Sequence, residues 1–157
     1  MDSAKGRIKI FVSFDLEHDR DLCDLLIEQS KKPGRGFDVI GQSAARGAEF
    51  PPSESARREI KKADEIIVIC GTHTEDSVRM SAELRVVQEE LKPYFLLWGR
   101  RESMCTKPQS AKSDEGMYSW TSGILRSQMQ LTLRNAENAI KEARASKEAK
   151  GGGARVA

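Results

Sequence analysis

The sequence predicts an α/β fold of three layers, a parallel sheet of four to five strands with helices on both faces. Three observations predict it. Strand-like and helix-like segments alternate along the chain, the pattern of a parallel sheet joined by helical crossovers. Two strand-like runs, Glu65-Ile-Ile-Val-Ile-Cys70 and Pro93-Tyr-Phe-Leu-Leu-Trp98, are continuous and apolar, as strands buried on both faces are. Right-handed crossovers on a sheet this small favour the strand order 2-1-3-4-5, which reverses between strands 1 and 3.

The elements follow in order. Arg7-Ile-Lys-Ile-Phe-Val-Ser-Phe14 is rich in β-branched and aromatic residues and makes the first strand. Asp15-Leu-Glu-His-Asp19 turns into a helix reaching about Gln29, with Leu22, Leu25 and Leu26 on one stripe. The acidic residues at its start suit the positive end of the helix dipole. Lys31-Lys-Pro-Gly-Arg-Gly36 breaks the chain before a second strand, Phe37–Gly41. A long exposed loop, 42–52, carries Arg46, Phe50 and two prolines, and Ser53 caps a helix from Glu54 to Ala63. The central strand, 65–70, runs through the turn Gly71-Thr-His-Thr-Glu-Asp76 into a helix from about Ser77 to Leu91. The fourth strand is 93–98, and 100–116 is a polar excursion expected to be mobile. A short fifth strand falls near 117–119. A helix from Trp120 to about Ser146 carries Ile124, Leu125, Met129, Leu133, Ala136 and Ile140 on one side. Residues 1–147 are expected to form one domain and 148–157 a disordered tail. With order 2-1-3-4-5 the whole is flavodoxin-like.

Composition narrows the function. The 157 residues are 38% hydrophobic and 32% charged, with 26 basic against 24 acidic side chains, which leaves no electrostatic case for nucleic acid or an anionic membrane as partner. The apolar runs are too short to span a bilayer and the amino terminus lacks a secretory apolar region. Three scattered cysteines suit a reducing cytoplasm rather than a disulfide framework or a metal site, and two histidines speak against a His-based metal centre. A cytoplasmic protein without a metal is the expectation.

Ligands in such sheets sit outside the carboxyl ends of the strands, at the switch point. The loop after strand 1 (Phe14, Asp15) and the turn after strand 3 (Thr72, Thr74) are therefore expected to flank one crevice. On the helix that follows, Met80, Leu84, Val87 and Leu91 cluster toward the sheet. At ~100° per residue Glu83 lies roughly 60° from the middle of that arc, a boundary position near the end of strand 3. By itself this is either a flank glutamate paired with a base or a functional carboxylate. Phe14 and Asp15 are either a pocket wall and polar contact or a core-edge aromatic and a cap. Thr72, Thr74 and Ser77 are either phosphate or ribose donors or capping groups.

The strand "IKIFVSFD", the acidic patch after it, "EIIVICGTHT", "SVRMSAEL" and "MYSWTSGIL" together resemble the TIR-like family, over about Lys9 to Met129. The subgroup they resemble is the bacterial anti-phage proteins of the Thoeris type. That resemblance matches Ser77, Met80, Glu83 and Leu84 to a family pattern in which the glutamate is catalytic; where many members carry tryptophan four residues earlier, this chain has Arg79. It implies an NAD+ glycohydrolase or ADP-ribosyl cyclase that breaks the nicotinamide–ribose bond, with NAD as substrate and no cofactor. It further implies Phe14, Asp15, Arg46, Phe50, Thr74, Ser77 and Met80 around the substrate. Self-association through loop 42–52 and a downstream effector that senses the product are the implied partners. A non-catalytic assembly module of the same fold is the alternative. A phospho-receiver is set aside because Cys70-Gly71-Thr72 offers no aspartate at the end of strand 3. A dehydrogenase is set aside because no glycine-rich phosphate fingerprint follows strand 1.

Overall fold

The computed structural model describes residues 7–44 and 54–156, with side chains to residue 147. Five strands, β1 (Ile8–Ser13), β2 (Phe37–Gln42), β3 (Glu65–Cys70), β4 (Tyr94–Trp98) and β5 (Met117–Ser119), form one sheet in the order β2-β1-β3-β4-β5. Every pairing is parallel. This is the predicted flavodoxin-like order. Its helices are α1 (Arg20–Ser30), α2 (Glu54–Lys62), α3 (Val78–Glu89) and α4 (Ser122–Val156), with a single 3-10 turn, Thr74–Asp76, before α3.

Alternation along the strands divides the core into two halves. Phe11, Ile66, Val68 and Cys70 pack with Ile60 of α2 and with Met80, Leu84 and Val87 of α3. Ile10, Val12, Phe14, Ile67 and Ile69 pack on the other face with Leu22 and Leu26 of α1 and Leu125 and Met129 of α4. Because β3 is covered on both faces, all six of its residues are buried. Each large aliphatic side chain so enclosed contributes about 1.5–3 kcal/mol of transfer free energy. A register shift between Ile10 and Phe11 realigns β2 so that Val12 lies opposite Gln42. It lets the Ser43 N–H extend the ladder to the Val12 carbonyl at 3.0 Å. Ser43 thus stands beside Ser13, the last residue of β1.

Several expected details differ. Leu91 is 86% exposed rather than core, because α3 ends at Glu89 and Leu91 takes a left-handed φ of 56°. Leu25 is 46% exposed, so the α1 stripe narrows to Leu22, Cys23 and Leu26. Residues 100–116 are pinned rather than loose. The Thr106 N–H donates to the Gly71 carbonyl at 2.9 Å and the Ser110 hydroxyl to the Ser81 carbonyl at 2.7 Å. Lys107 Nζ gathers the carbonyls of Lys112, Ser113 and Glu115, and Cys105 is buried among the α3-side core residues. The last helix begins at Ser122 and runs to Val156, past the expected end near Ser146. Ser53 lies outside the described residues.

One core group is a carboxyl. Glu65 opens β3 fully buried, against the Thr132 hydroxyl of α4, and its Oε1 has no partner among the described residues. The Thr132 hydroxyl also lies 2.8 Å from the Gln128 carbonyl, and its single hydrogen cannot serve both oxygens. A protonated Glu65 resolves the conflict by donating to Thr132. Burial accordingly pushes Glu65 up to about 8, against the lowering effect of Thr132. Between the ordinary carboxylate range and about 8, the folded chain holds a proton that the unfolded chain has released. Stability from this group is therefore complete at low pH and is lost as pH rises through that window. Glu65→Gln is expected to flatten that loss. Urea unfolding should find the variant more stable than the parent at about pH 9, and within about 1 kcal/mol of it at about pH 5. A parent whose stability rises with pH over this range would contradict the account.

Candidate functional site

The candidate site is built where β1, the segment after β2 and α3 converge. Ser77 caps α3, its hydroxyl accepting from the Met80 N–H at 3.1 Å, and this fixes the helix phase. Six residues on, that phase turns Glu83 inward toward the ends of β1 and β2. It is 2% exposed, so the boundary position read from the helical wheel is in fact interior. Glu83 Oε1 accepts from the Ser13 hydroxyl at 2.7 Å and from the Ser43 hydroxyl at 2.6 Å. Ser43 in turn accepts from the Phe14 N–H at 3.1 Å. One carboxylate oxygen thereby ties together a strand end, the segment leaving the neighbouring strand and a helix.

Burial pushes the Glu83 carboxyl up to about 7, against the lowering effects of Ser43, Ser13 and the Arg79 charge; Glu59 adds to the rise. The group therefore changes charge near neutrality, where proton-transfer and charge-stabilising roles are most sensitive to it. The two serines are the residues that the sequence reading missed. Ser13 stood within a segment read only as a strand, and Ser43 in a loop read for Arg46 and Phe50. The signal available was parity: Ser13 shares its strand face with Phe11, the face on which α3 packs.

The other expected site residues are placed as follows. Phe14 is fully buried in the α1 and α4 half of the core, on the opposite face from Glu83, with the Arg20 guanidinium 5.8 Å over its ring. Asp15 is nearly buried, accepting from the Glu17 N–H at 3.0 Å and pairing with His18 Nδ1 at 2.8 Å. It shapes the turn into α1. Thr74 is buried and accepts from the Gly71 N–H at 2.7 Å, stapling the turn after β3. Met80 is buried in the core between α3 and the sheet. Arg46 and Phe50, with most of the loop 42–52, lie outside the described residues, although Gln42 itself ends β2. Among the described members of the expected set, Ser77 is tied to Glu83 as the cap of its helix and Phe14 through its backbone N–H on Ser43.

The expected crevice between the loop after β1 and the turn after β3 is occupied by protein. His18 and His73 stack across it, ring centroids 3.9 Å apart. Behind them Asp19, 1% exposed, presses against Gly71 so closely that a Cβ there would stand 2.2 Å from Asp19 Oδ2. Arg100 clamps the plug, reaching Asp19 Oδ1 at 3.0 Å, Asp21 Oδ1 at 2.8 Å and the His18 carbonyl at 2.8 Å. Burial raises the Asp19 pKa and Arg100 opposes it. Among the described residues no group of three or more His, Cys, Asp or Glu could hold a metal ion, and no helix is long and apolar enough to cross a membrane.

No family model and no curated protein matches the chain. Among solved structures, a prokaryotic SEFIR domain is similar with a TM-score of 0.45 and 16% identity, over 81% of this chain and 96% of that one. The glutaminase domain of Trypanosoma brucei CTPS with bound acivicin has a TM-score of 0.36 and 18% identity, over 57% of this chain and 36% of that one. Likeness this distant carries no functional argument. The fold rests on the strand order itself.

The two serines are not equivalent. Ser43→Ala strands the buried Phe14 N–H as well as removing a donor to Glu83, whereas Ser13→Ala removes a donor only. Thermal or urea unfolding should find Ser43→Ala weaker by about 1–3 kcal/mol and Ser13→Ala by less. The reverse order would show that Ser43 is not the hub.

Proposed function

We propose that the chain is a TIR-like enzyme that consumes NAD, with Glu83 as its catalytic carboxylate. The product is ADP-ribose or a cyclic ADP-ribose isomer, serving as a signal in bacterial anti-phage defence. The observation that carries the proposal is the carboxyl of Glu83, buried at the carboxyl ends of β1 and β2, steadied on one oxygen by two serines, and poised at about 7. The motif resemblance around Glu83 supports it.

The chemistry asks little more of a site. As the bond from the ribose anomeric carbon to nicotinamide breaks, its electron pair stays on the nicotinamide nitrogen. The leaving group departs neutral, with no need for a general acid. What must be stabilised is the positive charge growing on the sugar, and an ionised carboxylate in a low-dielectric setting does that effectively. Water attack at the anomeric carbon, with loss of a proton, gives ADP-ribose; attack by an oxygen or nitrogen of the same molecule gives a cyclic isomer. Ser13 and Ser43 hold Oε1, so the carboxylate plane is preset before substrate arrives.

Only the ionised carboxylate stabilises the cation, so nicotinamide release should climb with pH along a curve centred at about 7, following the raised pKa of Glu83. Purified protein is incubated with NAD, alone and with infected-cell lysate, and the products are resolved by chromatography and mass spectrometry. Glu83→Gln should cut turnover at least about 100-fold while the unfolding midpoint stays level or rises, since a buried titrating acid is replaced by a neutral amide. Unchanged turnover in that variant ends the proposal.

A second reading has an observation in its favour. The same three-way tie would serve a non-catalytic assembly module, in which Glu83 only fastens α3 to the ends of β1 and β2. That reading expects no NAD loss under any of these conditions, with loss of stability as the only effect of removing Glu83 bonding partners.

A further inference from the structure

Away from Glu83, a cavity of about 360 Å³ opens between α1 and the carboxyl ends of β4 and β5. The chain has two tryptophans, and Trp98 and Trp120 both line it. Each indole N–H is already engaged: Trp98 Nε1 donates to the Arg100 carbonyl at 2.8 Å, and Trp120 Nε1 to Gln29 Oε1 at 2.9 Å. The rings are thus fixed in place, and what they offer a guest is apolar surface. Because Gln29 spends its oxygen on Trp120, its amide nitrogen is the group left to donate.

The remaining polar lining has one sign. Arg101 and Ser119 contribute a guanidinium and a hydroxyl, and among the described residues no carboxylate lines the cavity. The neighbouring Arg100 is consumed by Asp19 and Asp21, whereas Arg101 makes no ion pair among the described residues. Donors and one uncommitted cation around two indoles complement a molecule with a flat ring system and an anionic group. The volume suits one such ring system with its substituent, at the low end of small-molecule sites.

We propose that this cavity is a second binding site, separate from Glu83, for a planar aromatic anion of about mononucleotide size. The guest lies against the indoles of Trp98 and Trp120, with its phosphate or carboxylate on Arg101 and the Gln29 amide. The site stands whether or not the chain consumes NAD.

Phosphate and carboxylate guests share this chemistry, so the test carries both. The full chain is titrated with 5′-AMP and, separately, with benzoate, followed by tryptophan fluorescence and by calorimetry; adenosine and inorganic phosphate are the controls. At least one aromatic anion should bind with a Kd below about 1 mM and outbind both controls about tenfold or more. AMP alone binding assigns a phosphate guest, and benzoate alone a carboxylate guest. Arg101→Gln should weaken binding about tenfold. Gln29→Glu keeps an acceptor for the Trp120 indole while bringing negative charge to the cavity, so it should abolish binding with the fold intact. Glu83→Gln should leave binding unchanged.

Absence of binding by both anions at millimolar concentration overturns the proposal. So does binding indifferent to Arg101→Gln and Gln29→Glu, binding no tighter than that of adenosine, or binding lost on Glu83→Gln.

Discussion

A carboxyl group taken out of water must be either bonded or neutral, and the arrangement around Glu83 follows from meeting that demand. The unfavourable burial is offset by two serine hydroxyls on one oxygen. Those hydroxyls can reach it only because β1 ends at Ser13 and the register shift at Ile10 and Phe11 brings Ser43 alongside. The Ser77 cap sets the phase that aims the side chain inward. Strand register, helix cap and acid position are thus one constraint. Shifting any of them by a residue would leave a charge or a hydroxyl buried alone.

Glu65 meets the same demand differently, and the contrast separates a poised group from a silent one. Its partner, Thr132, already has a carbonyl to satisfy, so the acid is held neutral at the amino-terminal end of β3. Glu83 has two donors, one of them Ser43, whose lone pairs also take the Phe14 N–H. Donation to the ionised form draws its pKa back toward neutrality, where small changes in environment decide its charge. Both acids lose native protons as pH rises, but only Glu83 stands at the strand ends where substrates enter this fold.

Much of this was legible in the sequence, for reasons that are physical. Continuous apolar runs on β3 and β4 can be satisfied only by burial on both faces, and that fixed a parallel sheet with helices on either side. Helical phase placed Glu83 only at a boundary, and it was the motif resemblance that singled it out. Where the reading failed, a tertiary effect intervened. Leu91 sits where α3 has already ended, and Leu25 borders the open cavity beside Trp98 and Trp120. The polar composition of 100–116 signalled looseness, yet polar residues are also what tie a loop down when carbonyls such as those of Gly71 and Ser81 are within reach. The serines were invisible because hydroxyl pairing across a sheet depends on register, which a local pattern does not encode.

The filled switch point separates the buried Glu83 cluster from the tryptophan-lined cavity. In an open flavodoxin-like sheet the gap between β1 and β3 is the natural crevice, and here Asp19 occupies it against Gly71 with Arg100 locked across the top. Gly71 is what makes room, since any side chain there would collide with the aspartate. Glu83 lies buried on the α3 side of the β1 and β2 ends, and the tryptophan cavity opens on the α1 side of the β4 and β5 ends. Arg100 belongs to the plug, and the next residue, Arg101, lines the cavity.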